Sequence, residues 1–120
     1  MTDETKKSIL ICDDEEGVRE SLNLILEDDY DLDFATSGME AVNMVSNKTY
    51  DVLLLDLKMP EKDGLETLEE IKSISPNIKV IIVTGYQSVE TAAKAVKLGA
   101  IDYITKPFES AEVKEKVGRL

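Results

Sequence analysis

The 120-residue chain has no histidine, a single cysteine and no long apolar run. Without histidine it lacks both the usual general base near neutral pH and the usual transition-metal ligand. Any chemistry must run on carboxylates, hydroxyls and lysines. The lone cysteine, Cys12, excludes an internal disulfide and fits a reducing compartment. It reads as a small core residue with no redox role. The apolar runs are far too short to span a bilayer, and no basic-flanked apolar signal stands at the start. The expectation is a cytoplasmic protein that does not engage the membrane. Basic side chains are also scarce, 14 against 25 acidic ones, for a net charge of −11. Such a surface repels nucleic acid, so no direct nucleic acid binding is expected of this domain. There is no repeat, linker or low-complexity segment.

What is present is ordinary globular composition, 42% hydrophobic and 32% charged, in a length that makes one domain over 1–120. The chain is organised around Tyr50-Asp51-Val52-Leu53-Leu54-Leu55-Asp56-Leu57-Lys58-Met59-Pro60. Its four consecutive apolar residues, Val52 to Leu55, read as a strand buried on both faces and end abruptly at a carboxylate. Pro60 and then Asp63-Gly64 turn the chain before the next helix.

Residues 1–7 are polar and read as a flexible N-terminus. Ser8 to Cys12 is a first buried strand, broken by Asp13-Asp14-Glu15-Glu16, and Val18, Leu22, Ile25 and Leu26 space a helix from about Glu15 to Glu27. Asp31 to Ala35 alternates, giving a strand with one wet side, and Ala41, Val42 and Val45 mark a short second helix after Ser37-Gly38. Leu65, Leu68, Ile71 and Lys72 place a third helix between Gly64 and Ser75-Pro76. Val80 to Val83 is another continuous run, closed by Thr84-Gly85. Val89, Ala92, Ala93 and Val96 mark a fourth helix that Gly99 stops. Ile101 to Ile104 alternates, Lys106-Pro107 ends it, and Val113, Val117 and Leu120 trace a last helix.

This is βα repeated five times, with connections that allow only a parallel sheet with helical crossovers. Strands one, three and four are continuously apolar and therefore central; two and five alternate and lie at the edges. The order 2-1-3-4-5 satisfies this, with helices on both faces: an α/β, flavodoxin-like doubly wound fold.

The carboxyl ends of such strands form the ligand-binding crevice. Strand one ends in Asp13-Asp14, strand three in Asp56, strand four in Thr84 and strand five in Lys106. Bunched carboxylates repel unless a cation lies among them, and hard oxygen ligands of this kind suit Mg²⁺. A lysine facing the cluster balances charge and can hold a phosphoryl oxygen. A carboxylate nucleophile gives an aspartyl phosphate, with positioning and charge neutralisation supplying most of the catalysis. Each residue also has a plain reading: Asp13 and Asp14 as acids at a helix N-terminus, Asp56 as a solvated strand end, Thr84 as a cap, Lys106 as a surface charge. Their coincidence on one rim favours a site.

Asp13-Asp14 after the first strand, Asp56 followed by Lys58-Met59-Pro60 and Asp63-Gly64, Thr84-Gly85, and Tyr103 ahead of Lys106-Pro107-Phe108 resemble the receiver domain of two-component response regulators. The resemblance covers about Ile9 to Val117, and the complete set at these intervals is highly specific. The stretch Thr84 to Phe108 also resembles receivers attached to σ54-dependent transcriptional activators. The resemblance implies that Asp56 accepts a phosphoryl group from a sensor histidine kinase or a small phosphodonor. It implies that Asp13, Asp14, Asp56 and the backbone carbonyl of Lys58 hold Mg²⁺ directly or through water. Lys106 then pairs with the phosphoryl group, Thr84 hydrogen-bonds to it, and Tyr103 reports the event outward. It further implies a cis peptide bond between Lys106 and Pro107.

Further expectations concern readout. A threonine hydroxyl drawn to a phosphoryl oxygen vacates space for a tyrosine ring, so Thr84 and Tyr103 form a switch. The fourth helix, with Ala92, Ala93 and Ala95 packing lightly on its inner side, the fifth strand and the fifth helix form the surface for an output domain, a partner or a phosphorylation-dependent homodimer. Lys58 and Tyr86, each two residues past a site residue, are expected to set the phosphoryl lifetime by shielding the phosphorus from water. Gly118 in the last turn points to a fragment of a longer regulator. Three rivals stand. A flavodoxin-like cofactor protein needs a Ser/Thr/Gly-rich cradle where this chain has Asp-Asp-Glu-Glu. An aspartyl-phosphate phosphohydrolase of the haloacid-dehalogenase type typically carries a second Asp where this chain has Lys58. A phosphate-independent interaction module would not bind Mg²⁺.

Overall fold

The computed structural model describes residues 6–59, 63–85 and 89–120. The elements alternate as β1 (Ser8–Cys12), α1 (Glu16–Leu26), β2 (Asp31–Ala35), α2 (Gly38–Asn47), β3 (Val52–Leu55), α3 (Gly64–Ile74), β4 (Lys79–Thr84), α4 (Val89–Lys97), β5 (Ala100–Thr105) and α5 (Ser110–Gly118). All strand pairs are parallel, in the order β2-β1-β3-β4-β5. The continuously apolar strands are the inner ones, as their patterns require.

The twofold alternation of side chains divides the core into two layers. Leu10, Cys12, Leu53, Leu55, Val80 and Ile82 pack with Ala41, Val45, Leu68, Ile71 and Ala95 of α2, α3 and α4. Ile9, Ile11, Val52, Leu54, Ile81 and Val83 pack with Leu22, Leu26, Val113 and Val117 of α1 and α5. Cys12 is buried, and burial followed by the charges of Asp13 and Asp56 pushes its thiol up to about 12, so it stays protonated and inert.

Local chemistry sets the helix ends. Ser37 caps α2 by accepting the Glu40 amide at 3.1 Å, while the Glu40 carboxylate accepts the Thr36 amide at 2.7 Å. Asp63 caps α3 through the Leu65 amide at 3.1 Å. Gly99 ends α4 at φ +114°, a conformation that side chains resist, with Lys72 packed where a Cβ would stand. Residues 1–5 lie outside the described residues; Lys7 is engaged, its ammonium 2.6 Å from the Leu120 carbonyl.

Two expectations are corrected. The apolar stripe of α4 does not face the core: Val89 is 90% and Val96 64% exposed, and Ala93 is exposed as well. Ala95 is buried and Ala92 half-buried, so α4 approaches the sheet through small residues and turns its valines to solvent. The simple alternation of β5 is also broken, by a bulge opposite Val80 and Ile81. Val80 pairs with Ala100 and Ile81 with Asp102, leaving Ile101 as the extra residue, 48% exposed. Past the bulge, Tyr103 lies opposite Ile82 and joins the α4 side of the core.

Candidate functional site

Three strands overrun the sheet by one hydrogen bond each at the same edge, and each overrun delivers a charged residue. The Asp13 amide donates to the Ala35 carbonyl, the Asp56 amide to the Cys12 carbonyl and the Lys106 amide to the Thr84 carbonyl, all at 3.0 Å. The ladder therefore fixes the backbone of all three residues.

Their side chains converge. The Lys106 ammonium lies 2.7 Å from Asp13, 3.1 Å from Asp56 and 3.2 Å from Glu15. The Asp13 and Asp56 side chains are 3% and 4% exposed and that of Lys106 15%. Each acid spends its other oxygen on a local amide: Asp13 accepts from Glu15 at 2.9 Å and Asp56 from Lys58 at 3.0 Å. Burial raises the Asp13 carboxyl above its ordinary value even though hydrogen bonds from Lys106 and the Glu15 amide pull it down. Burial acts to lower the Lys106 ammonium, but the hydrogen bond and charge of Asp13, then of Asp56, reverse this and hold it above the ordinary lysine value. Lys106 is therefore a fixed positive charge.

Asp14 is exposed and completes an acidic trio, since one oxygen from each of Asp13, Asp14 and Asp56 lies within 4.8 Å of the others. One lysine cannot neutralise three carboxylates at this spacing. The surplus negative charge and the all-oxygen donor set fit a hard divalent cation such as Mg²⁺.

Thr84 is fully buried at the end of β4, two residues past Ile82, which pairs with Leu55 just before Asp56. Tyr103 is half-buried opposite Ile82, so Thr84 and Tyr103 share the α4 face of adjacent strands. Lys58 is exposed and meets Asp56 through its amide. The peptide bond before Pro107 is cis, in line with the resemblance. Pro60 and Tyr86 lie outside the described residues.

Two participants were not anticipated. Glu15 stands at the N-cap of α1 without capping it, and its carboxylate turns to Lys106 instead. Arg19 donates from Nη1 to the main-chain carbonyl of Asp13 at 2.8 Å. The acidic run extending past Asp14 was a usable hint for Glu15; the reach of Arg19 across six positions depends on the intervening turn.

Residues 9–118 match the response regulator receiver domain family. The chain belongs to that family. Transcriptional regulatory protein ZraR of Escherichia coli strain K12 is 42% identical over 102 residues, which are 84% of this chain and 23% of that protein. The chain thus spans about a quarter of the length of the ZraR relatives. Sporulation initiation phosphotransferase F of Bacillus subtilis strain 168 is 37% identical over 112 residues, 92% of this chain and 90% of that protein. A CheY-like response regulator receiver domain protein from Methanospirillum hungatei JF-1 superimposes with a TM-score of 0.92 at 34% identity, covering 96% of this chain and 93% of that one. The receiver fold and family are thus established together. No helix among the described residues is long and apolar enough to cross a membrane.

Proposed function

We propose that this receiver domain is a phosphorylation-activated switch in which Asp56 is the acceptor. The observation that carries this reading is the convergence of buried Asp13 and Asp56 on one half-buried lysine, beside an exposed third acid. An Asp56 carboxylate oxygen attacks phosphorus; the new O–P bond forms as the P–N bond of a kinase phosphohistidine breaks, and its electron pair returns to the imidazole nitrogen. Asp13, Asp14, Asp56 and the Lys58 carbonyl are the residues to hold Mg²⁺, which when bound neutralises charge on the phosphoryl oxygens. Lys106, already held over Asp56, pairs with a phosphoryl oxygen, and Thr84 donates its hydroxyl to another. Lys58 shields the phosphorus from water and sets the lifetime of the aspartyl phosphate.

The donor approaches over a groove of about 490 Å³ that borders Lys106, lined among others by Glu15, Val18, Ser21 and Phe108. The readout surface is α4, β5 and α5, where Val89, Val96 and Ile101 are exposed. An output domain, a partner protein or a second copy covers these side chains after phosphorylation. The similarity to the transcriptional regulatory protein ZraR favours an output in transcription control, and the resemblance of Thr84 to Phe108 the receiver of a σ54-dependent transcriptional activator. The switch passes from Thr84 to Tyr103 on their shared face. A cytoplasmic location follows from a kinase partner that uses ATP.

Acetyl phosphate with Mg²⁺ should add one phosphoryl group to the protein, and chelating the metal should prevent it. Beryllofluoride, a phosphoryl mimic, should shift amide resonances from Asp56 through residues 89–104. Multiple turnovers of small phosphate esters would instead favour a phosphohydrolase, and indifference to Mg²⁺ an interaction module.

A further inference from the structure

We propose that Arg19 is a positioning residue for the acidic site: through the main-chain carbonyl of Asp13 it fixes the turn that presents Asp13 and Asp14 to the cation. The inference rests on the Mg²⁺ reading given above. The β1 register ends at Cys12, one further amide bond ties Asp13 to Ala35, and the chain must enter α1 at Glu16, so Asp14 and Glu15 form the bend between them. Asp13 is the anchor of that bend, because its polar atoms all have partners. Its amide reaches Ala35 at 3.0 Å, Oδ1 the Glu15 amide at 2.9 Å, Oδ2 Lys106 at 2.7 Å, and its carbonyl Arg19 at 2.8 Å.

The last of these contacts governs Asp14. A peptide unit is planar, so a donor that pins the Asp13 carbonyl also fixes the plane of the Asp14 amide and the place of the Asp14 Cα from which its side chain leaves. Asp14 is exposed. Arg19 is suited to the task. Helical side chains lean toward the N-terminus, which carries a residue one turn into α1 back over the bend. Its own amide is bonded to the Glu15 carbonyl at 3.1 Å, and its half-buried stem lines a groove with Phe34, so the guanidinium has a rigid base. A lysine offers a single shorter point of contact in place of the planar fork.

Charge and position make opposite predictions. A guanidinium near a divalent cation repels it, so deleting the charge alone should tighten Mg²⁺ binding. Loss of positioning should weaken it, by about tenfold if Arg19 acts like other residues that orient metal ligands. The test is Mg²⁺ titration of the whole chain, followed by amide resonances, for wild type, Arg19→Met and Arg19→Lys. Arg19→Met is expected to bind Mg²⁺ about tenfold more weakly and Arg19→Lys to fall between it and wild type. Slowed phosphorylation by acetyl phosphate in either variant should be recovered by raising Mg²⁺. The amide spectra report folding directly, and should Arg19→Met fail to fold, Arg19→Lys carries the test with a weaker affinity than wild type. Unchanged or tighter Mg²⁺ binding in a folded variant overturns the proposal while leaving the metal site standing. A wild type that binds no Mg²⁺ overturns the metal reading and this inference with it.

Discussion

Lys106 and Asp56 belong to strands that do not touch, yet the Lys106 ammonium reaches past the end of β4 to lie 3.1 Å from the Asp56 carboxylate. Asp13 binds the same ammonium at 2.7 Å. The lysine thus offsets two buried negative charges before any cation or phosphoryl group is bound.

Removing it should be costly. Lys106→Ala leaves Asp13 and Asp56 buried without a counter-charge, and breaking buried pairs from one side costs about 3 kcal/mol or more. Metal-free Lys106→Ala should therefore melt well below wild type. Millimolar Mg²⁺ should raise both melting temperatures, since a ligand of the folded state stabilises it by about 2.7 kcal/mol at a hundred times its dissociation constant. Asp14→Asn, which removes one of the three repelling acids, should melt above wild type without metal and gain less from Mg²⁺. Thermal melts with and without the ion check all three, and a wild type indifferent to Mg²⁺ would remove the acidic trio from consideration as a metal site.

Gly64 and Gly85 flank the site and should respond oppositely to alanine. A Cβ at Gly64 would stand 2.4 Å from Leu57 Cα and 2.6 Å from the Leu57 carbonyl oxygen, both backbone atoms. Because Leu57 follows Asp56, the clash must move either α3 or the acceptor loop. Gly64→Ala should cost about 1–3 kcal/mol and slow phosphorylation. A Cβ at Gly85 meets Lys106 Cβ at an ordinary 3.9 Å, so Gly85→Ala should change stability little. Denaturant midpoints for the pair measure the contrast.

At the opposite end of the sheet, the buried Tyr50 donates its hydroxyl to Asp33 at 2.6 Å and Lys48 adds a second bond at 2.9 Å. Hydrogen bonding from Tyr50, then from Lys48, holds the Asp33 carboxyl below its ordinary value. A depressed folded value stabilises the fold above the ordinary carboxylate pKa and loses that stabilisation as pH falls through the folded one. Tyr50→Phe should lower stability by about 1 kcal/mol at neutral pH, less than a fully buried charged hydrogen bond because Asp33 is 36% exposed. The deficit should shrink in acid. Urea midpoints of the two proteins between neutral pH and the carboxylate range test this; a constant difference would mean that Asp33 does not govern the pair.

The strands were legible because sheet position imprints itself on composition. Val52 to Leu55 has no polar residue and lies inside the sheet; Asp31 to Ala35 alternates and lies at its edge. The site was legible because parallel strands put their ends on one rim, so Asp13, Asp56 and Lys106 needed only correct strand boundaries. Periodicity misled at α4. It detects an apolar stripe and is silent on whether that stripe meets the core, and Val89, Ala93 and Val96 face solvent while Ala95 packs. The β5 bulge was invisible for a similar reason, since the sequence cannot say which residue the ladder skips. Glu15 and Arg19 were missed because their contacts depend on the bend between β1 and α1.

Phosphorylation of Asp56 is tested most directly by intact-protein mass after incubation with acetyl phosphate and Mg²⁺, comparing wild type with Asp56→Asn. Wild type should gain one phosphoryl group and Asp56→Asn none, with both proteins giving the amide spectrum of the folded domain. Labelling of folded Asp56→Asn to the same extent and at the same rate as wild type would contradict Asp56 as the acceptor.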